Sequence, residues 1–457
     1  MELTMEDFKM TPEDGDPRKR RLQINFAAIC IMWLFSFTAY SGLQNLESSL
    51  NPCIGVYSLA ALTGGGLISC LLAPAVISYI SGKGALIISW ISLMIFVGAN
   101  YYPRSFVLIP GAAIEGLATG LMWTAQGAIV TSIAVEYAEI TGGSFEDTLS
   151  KMFGIFCAAF QSTQIWGNLL SSTVLGSGGG PPPLNTTIHV APLCGKDNCP
   201  KFEKCESKTS FTEDRAEIIL ISAYMGFAFI GLLVTIFMLG SDKKVKQSPE
   251  VSLLARLGAT GKLLFTNANM AMLVPFSLWT GLEQTIMYAE FTKAFVACEL
   301  GIHWIGYTMI CFGALNTVGS PLSGLLAKYI GRPVLFLIAT LLNLGALSGM
   351  YFWEISSSQK IIFFVIPAVW GLADSIWQTQ SAALVGSAFV ENQEPAFSNL
   401  RMFQALGFTV GYLYSNHLCE SIKMYIVAGE LIVSMLLVAI VEIRLRTAKQ
   451  VSGAKVI

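Results

Sequence analysis

Charge is scarce in this chain. Lys, Arg, Asp and Glu make up 13% of its 457 residues, against about 25% in soluble globular proteins. A chain of this length with so few charges cannot clothe its surface in solvated groups, which excludes an ordinary water-soluble fold. Histidine is scarcer still, at three residues, and none sits in a ligand cluster, which argues against a zinc or other metal centre. Also missing are the glycine loop of nucleoside-triphosphate enzymes, the His-Glu-x-x-His pattern, the nucleophile elbow and the dinucleotide fingerprint. No enzyme, no cofactor and no direct reader of nucleic acid is expected. A cleavable leader is not evident either. A polar tail of about twenty residues comes first, so the first apolar run is expected to act as a signal anchor.

What the chain has in abundance is apolar residue, 53% of the total. It is gathered into segments at 22–43, 57–80, 84–102, 106–135, 151–176 and 217–240, and again at 268–292, 303–328, 333–353, 361–390, 397–418 and 423–445. Each is long enough to cross a bilayer as a helix, which takes about 20 residues. The expected fold is an all-α membrane protein of twelve transmembrane helices. Its parts are a tail (1–21), a six-helix bundle (22–240), a linker (241–266), a second bundle (267–445) and a tail (446–457). Pro74, Pro110, Pro275, Pro321 and Pro367 do not oppose this, because membrane helices tolerate proline. With the N-terminus placed inside, nineteen of the 28 Lys and Arg fall on the inner side and nine on the outer, five of those nine in one long loop. The short loops are therefore strongly biased, and both termini are expected in the cytoplasm. The basic run Arg18–Arg21 fits a cytoplasmic stop for the first helix, with a lipid-headgroup patch as the lesser reading.

The long loop, 177–216, opens on glycines and prolines that cannot be helix and holds Asn185-Thr186-Thr187, the chain's one glycosylation sequon. It also holds Cys194, Cys199 and Cys205. Cys53 lies in another outer loop, and Cys298 and Cys419 lie at outer helix ends. An oxidising compartment allows disulfides among them, with connectivity left open. Cys30, Cys70, Cys157 and Cys311 fall within helices as packing residues.

One segment is too polar for lipid. Along Lys151–Leu175, Gly154, Gln161 and Asn168 recur every seven residues with Gln164, Ser171 and Ser172 beside them. This face must turn to other helices or to water, and interhelical bonding and cavity lining are both open to it. The segment also has an echo, Met152-Phe153 returning as Met402-Phe403. Tyr79-Ile80 returns as Tyr329-Ile330, and Gly116-Leu117-Ala118 with Trp123 and Gln126 returns as Gly371-Leu372-Ala373 with Trp377 and Gln380. Ser41–Gln44 answers Thr280–Glu283. Each match joins a helix to the sixth one after it, the pattern of two parallel six-helix repeats in the major facilitator superfamily.

Gly324-Leu325-Leu326-Ala327-Lys328-Tyr329-Ile330-Gly331-Arg332 resembles that superfamily's inner-loop signature, with Lys328 at the acidic position. The first-half copy has eroded, Pro74 and Ser78 replacing the Gly and Asp while Lys83 keeps a charge. In the superfamily this signature latches the outward-facing state, so its decay counts against ordinary alternating access. Phe153–Phe156, Phe160-Gln161-Ser162, Trp166–Leu169, Thr38–Gln44 and Leu121–Gly127 are similar to the unc-93-like branch, its A-type homologues most of all, and the likeness runs from about residue 24 to the end. Membership implies an accessory role. The founding member regulates a two-pore potassium channel, and another escorts Toll-like receptors.

Buried carboxylates are the other candidates, since an intramembrane charge costs about 2.5–3.5 kcal/mol on insertion scales. Glu115, Glu283 and Asp374 lie on helices that line the central cavity in this superfamily, and with Gln44, Gln126 and Gln380 they could face one another across it as a coupling site, or simply hold helices together. Glu290, Lys293 and His303 are expected as headgroup-level or loop contacts, and Glu430 on a peripheral helix against a partner or neighbour or facing a Ser of an adjacent helix. Two functions compete: a plasma-membrane accessory protein that modulates a potassium channel or other membrane partner, and a carrier of a small solute or cation.

Overall fold

In hydrocarbon no water reaches the backbone, so a spanning segment must bond its own N–H and C=O groups, as a helix does. The computed structural model describes residues 16–51, 54–143, 145–177, 194–200, 215–240, 253–389 and 392–453, and among these every regular element is helical. The first set comprises α1 (Pro17–Leu50), α2 (Gly55–Ile80), α3 (Gly82–Ala99), α4 (Ser105–Thr141), α5 (Phe145–Ser177) and α6 (Arg215–Phe237). After α7 (Leu253–Thr266) and α8 (Ala268–Met272), the second set comprises α9 (Val274–Thr285) with its π-helical continuation Ile286–Ala297, α10 (His303–Ile330), α11 (Arg332–Phe352), α12 (Lys360–Ala388), α13 (Gln393–Ser415) and α14 (Glu420–Gly453). The element count therefore exceeds twelve. The linker contributes α7, and Pro275 at the start of α9 separates it from α8.

Helix ends also lie beyond the apolar runs. The Asp16 side chain accepts from Arg18 N and caps α1 five residues ahead of the first apolar residue, so the basic run is helical. At its other end α1 continues to Leu50 and carries Glu47 into the interior, 0% exposed.

Nine of the described helices are long and apolar enough to cross a membrane. The exceptions among the expected spans are α5, α9 and α13, and each packs inside the bundle. α5 lies along α10 and α13 along α2, bringing the first set of helices against the second. Such close approach needs small residues. A Cβ on Gly306 of α10 would stand 2.1 Å from the Asn168 carbonyl of α5. On α13, Gly407 faces the Leu278 carbonyl of α9 and Gly411 the Thr285 hydroxyl, at 2.2 and 2.4 Å from a notional Cβ. This glycine pair thus serves packing within the bundle.

Matching aromatic clusters fill the two halves. Trp33, Phe37, Trp90, Trp123, Phe156 and Phe160 interlock in the first, largely edge to face. Phe276, Trp279, Phe336 and Trp377 do so in the second. The repeat extends to backbone. Ser81, between α2 and α3, has φ 69° and ψ 162°, and Gly331, between α10 and α11, has φ 80° and ψ 154°. Ser81 is the one non-glycine with positive φ among the described residues.

The α9–α13 contact yields a stability test. Gly407→Val forces a side chain against a backbone carbonyl that cannot swing away. Overpacking of this kind costs about 1–3 kcal/mol, so the unfolding midpoint in detergent should fall, whereas Gly429→Ala, placed where no atom lies within 4 Å, should leave it unchanged.

Candidate functional site

The centre of the bundle is a polar layer built around Asp374. Its Oδ1 accepts from Gln284 of α9 at 2.9 Å and from Gln378, one turn along α12, at 3.1 Å. Its Oδ2 accepts from Asn316 of α10. Asn316 Oδ1 in turn accepts from Gln161 of α5 at 3.3 Å, so a hydrogen-bonded chain runs from the first half to the Asp374 carboxylate. An isolated buried carboxylate would cost several kcal/mol, and the amide donors from three helices offset that cost.

Glu283 joins this layer. Its Oε2 accepts from Trp370 Nε1 at 2.5 Å, its Oε1 has no hydrogen-bond partner, and its carboxyl interacts with that of Asp374. Glu115 is placed differently. It accepts from Ser92 of α3 at 2.7 Å, a contact inside the first half. The geometry therefore joins Glu283 to Asp374 and turns Glu115 toward α3. Gln44 donates to the Tyr412 hydroxyl of α13 at 3.2 Å, across the halves. Gln380 donates to the Ser323 carbonyl at 3.3 Å, and the Gln126 amide nitrogen is buried without a partner. Gln164 and Asn168 both accept from Asn45 of α1, at 2.9 and 3.0 Å, tying α5 to α1.

The inner-loop residues serve as latches between helices. Gly331 makes the positive-φ turn, and Arg332 pairs with Glu442 of α14 at 3.2 Å. In the first half Lys83 donates to the carbonyls of Ile236 and Leu239 at the end of α6, at 2.8 and 2.6 Å. Each half thus ties a cation just past its second helix to its sixth. Gly324 has open space around it. The side chain of Lys328 lies outside what the structure describes, as do Cys53, Asn185 and Cys205.

At the opposite end a short segment of the long loop is stapled across the second half. Cys194 bonds Cys298 beyond the π-helical stretch, and Cys199 bonds Cys419 ahead of α14. Below it lies an ion cluster where headgroup-level residues were expected. Lys423 Nζ sits 2.5 Å from Glu290 and 3.0 Å from Glu420, all three nearly inaccessible. Glu290, on the π-helical stretch, is buried where it meets Lys423 of α14. His303 contributes its carbonyl to Ser172 of α5 at 2.8 Å. Glu430 is half-buried on α14.

Sequence reasoning passed over several residues. Glu47 accepts from Asn51 and Ser58 at 3.2 and 3.4 Å. Asn45, Gln284, Asn316 and Tyr412 carry the interhelical bonds. Amides within apolar segments are the signal available in the sequence for these, and Glu47 lies beyond the apolar run 22–43, on the part of α1 that continues to Leu50. Among the described residues no group of three or more His, Cys, Asp or Glu is arranged to hold a metal ion.

A family model described as "Ion channel regulatory protein UNC-93" matches residues 47–441. Protein unc-93 homolog A of Bos taurus is 35% identical over 425 residues, covering 90% of this chain and 91% of that protein. A Caenorhabditis elegans relative, provisionally named a potassium channel regulatory protein, unc-93, is 29% identical over 93% of this chain and 61% of its own length. A solved mutant of the nucleoside transporter NupG superposes with a TM-score of 0.64 at 14% identity, over 91% of this chain and 99% of the transporter. That likeness shows the fold, which is that of the major facilitator superfamily. With the family profile and a relative above 30% identity each spanning most of its length, the chain belongs to the UNC-93 family.

Proposed function

We propose that this protein is a membrane accessory subunit that binds an ion channel, a potassium channel foremost, and modulates its activity or trafficking. The observation that carries this reading is that the Asp374 carboxylate is bonded within its own chain, although Glu283 Oε1 beside it keeps no partner. Asp374 is met by donors from Gln284, Asn316 and Gln378, which leaves that carboxylate little unmet bonding for a solute. The names of its relatives point to channel regulation. Both termini in the cytoplasm, a plasma-membrane location and a glycan at Asn185 complete the proposal. The two disulfides, at the end of the bundle away from the start of α1, support that orientation.

A carrier is the second reading. It is favoured by the Gln161–Asn316–Asp374 chain, which would couple the protonation of one carboxyl to the contact between halves, and by the transporter fold.

Affinity purification of the full chain from native membrane should recover a channel in near-stoichiometric amount, and a clean, partner-free preparation would count against the accessory role. Glu430→Leu should lower that recovery severalfold if the partner's helix bonds to this carboxyl, with the unfolding midpoint held. In proteoliposomes the pure protein should accumulate no solute from a broad panel. Uptake driven by a proton or sodium gradient and abolished by Asp374→Asn with Glu283→Gln would reverse the preference.

A further inference from the structure

The two halves touch along one end of the bundle and then part. Bonds between them run from Tyr57–His417 and Ser172–His303 inward to Thr63–Thr409 on α2 and α13 and to Gln161–Asn316 on α5 and α10. Beyond those last two bonds the interface residues become exposed. Gly154, Cys157 and Ala158 lie one to two turns further along α5, and Arg401 two turns further along α13. Two turns of helix is about 11 Å. Cys70 takes the equivalent place on α2. Arg401 lies in electrostatic reach of both Cys70 and Cys157, which belong to the other half, and Cys157 in reach of Cys30 on α1. Arg401 is therefore exposed where α13 of one half looks toward α2 and α5 of the other, as on the wall of a cleft.

Its guanidinium donates to Gln404 at 2.8 Å, one turn along the same helix, and has no acidic partner among the described residues. Three cations elsewhere in the bundle are matched, Arg332 by Glu442, Lys423 by Glu290 and Glu420, and Lys83 by two helix-end carbonyls, whereas Arg444 resembles Arg401 in meeting only an amide, Asn269. With Gln404 as its hydrogen-bond partner and no acidic partner among the described residues, the exposed guanidinium keeps donors for a group that arrives from outside. Its planar fork suits carboxylate or phosphate.

We propose that the cleft between the halves, on the side away from the disulfides, is an anion-binding site in which Arg401 recognises a carboxylate or phosphate group, carried by a soluble molecule or by a lipid headgroup. The proposal does not depend on the accessory reading.

Cys157 is a native reporter at the mouth of the site. Its modification can be followed by mass spectrometry on the full chain in nanodiscs, using an anionic sulfonatoethyl and a cationic trimethylammonium methanethiosulfonate. Taking the ratio of the two rates cancels any change in thiol reactivity. That ratio should fall about 3- to 10-fold in Arg401→Gln, the effect of one charge at short range across partly hydrated protein. Arg401→Lys, which keeps the charge, should hold it within about twofold of the wild type. Protection of Cys157 by inorganic phosphate or succinate in phosphatidylcholine nanodiscs identifies a soluble anion. Protection that requires phosphatidylserine identifies a headgroup. A ratio unmoved by Arg401→Gln, with neither probe protecting, overturns the proposal.

Discussion

A side chain that can hydrogen-bond finds no partner in hydrocarbon except within its own chain, and this constraint orders the whole bundle. It explains why α5 and α13, the long helices not apolar enough to face lipid, lie between the halves, and why α6 and α14, which qualify as spans, lie outside them. It also explains the density of amides at the centre. Asn45 donates to both Gln164 and Asn168 between α1 and α5, and Gln161, Asn316, Gln284 and Gln378 lead to one carboxylate. Such a network is strong when complete and costly when a member is lost, because the low surrounding dielectric acts on both cases.

Duplication set the frame, and the polar centre then diverged within it. The turns at Ser81 and Gly331 share one backbone shape although only glycine adopts it without strain. The aromatic clusters recur on corresponding helices, Trp123 answering Trp377. Charged groups do not recur in this way. Glu115 bonds Ser92 inside the first half, whereas Asp374, Glu283, Glu290, Glu420 and Lys423 are concentrated in the second. The first half is accordingly a packed scaffold at this depth. The second carries more of the buried ionisable groups, with Glu47 and Glu115 in the first, and it is there that the π-helical stretch continues α9, a feature that accompanies functional sites in many helices.

Much of the fold was legible because lipid imposes one simple rule on sequence. Apolar length marks helices, and the return of Met152-Phe153 at Met402-Phe403 marks the repeat. What escaped was whatever depends on direction. A helix wheel cannot say that Glu115 points to α3, or that Glu290 is drawn inward beneath Cys199 and Cys419. Apolarity also says little about where a helix stops, since Asp16 extends α1 at one end and Glu47 remains helical at the other. A count of inner-side cations includes Arg401 without distinguishing it, and its place on α13, toward α2 and α5 with no acidic partner among the described residues, needs the fold. The pairing of Cys194 with Cys298 and of Cys199 with Cys419 required the loop segment's position over the second half.

The same constraint bears on which conformations the protein can visit. At the disulfide-bearing end the halves are joined by Gln44–Tyr412, Ser48–Ala289, Tyr57–His417, Ser172–His303 and Thr63–Thr409. Five hydrogen bonds at about 0.5–1.5 kcal/mol each amount to a few kcal/mol. Inverting a two-state population needs a differential affinity of about 5.5 kcal/mol, so one well-fitted partner or ligand is of the right size to decide it. In transporters of this fold the inner-loop signature supplies the opposing latch. In this sequence Lys328 stands at the signature's acidic position and Pro74 and Ser78 replace its first-half residues. With the disulfide-bearing end so bonded, these contacts favour the arrangement seen here, in which Arg401 is exposed. A regulatory subunit needs a stable face to present to its partner, and the bonds at the disulfide-bearing end contribute to one.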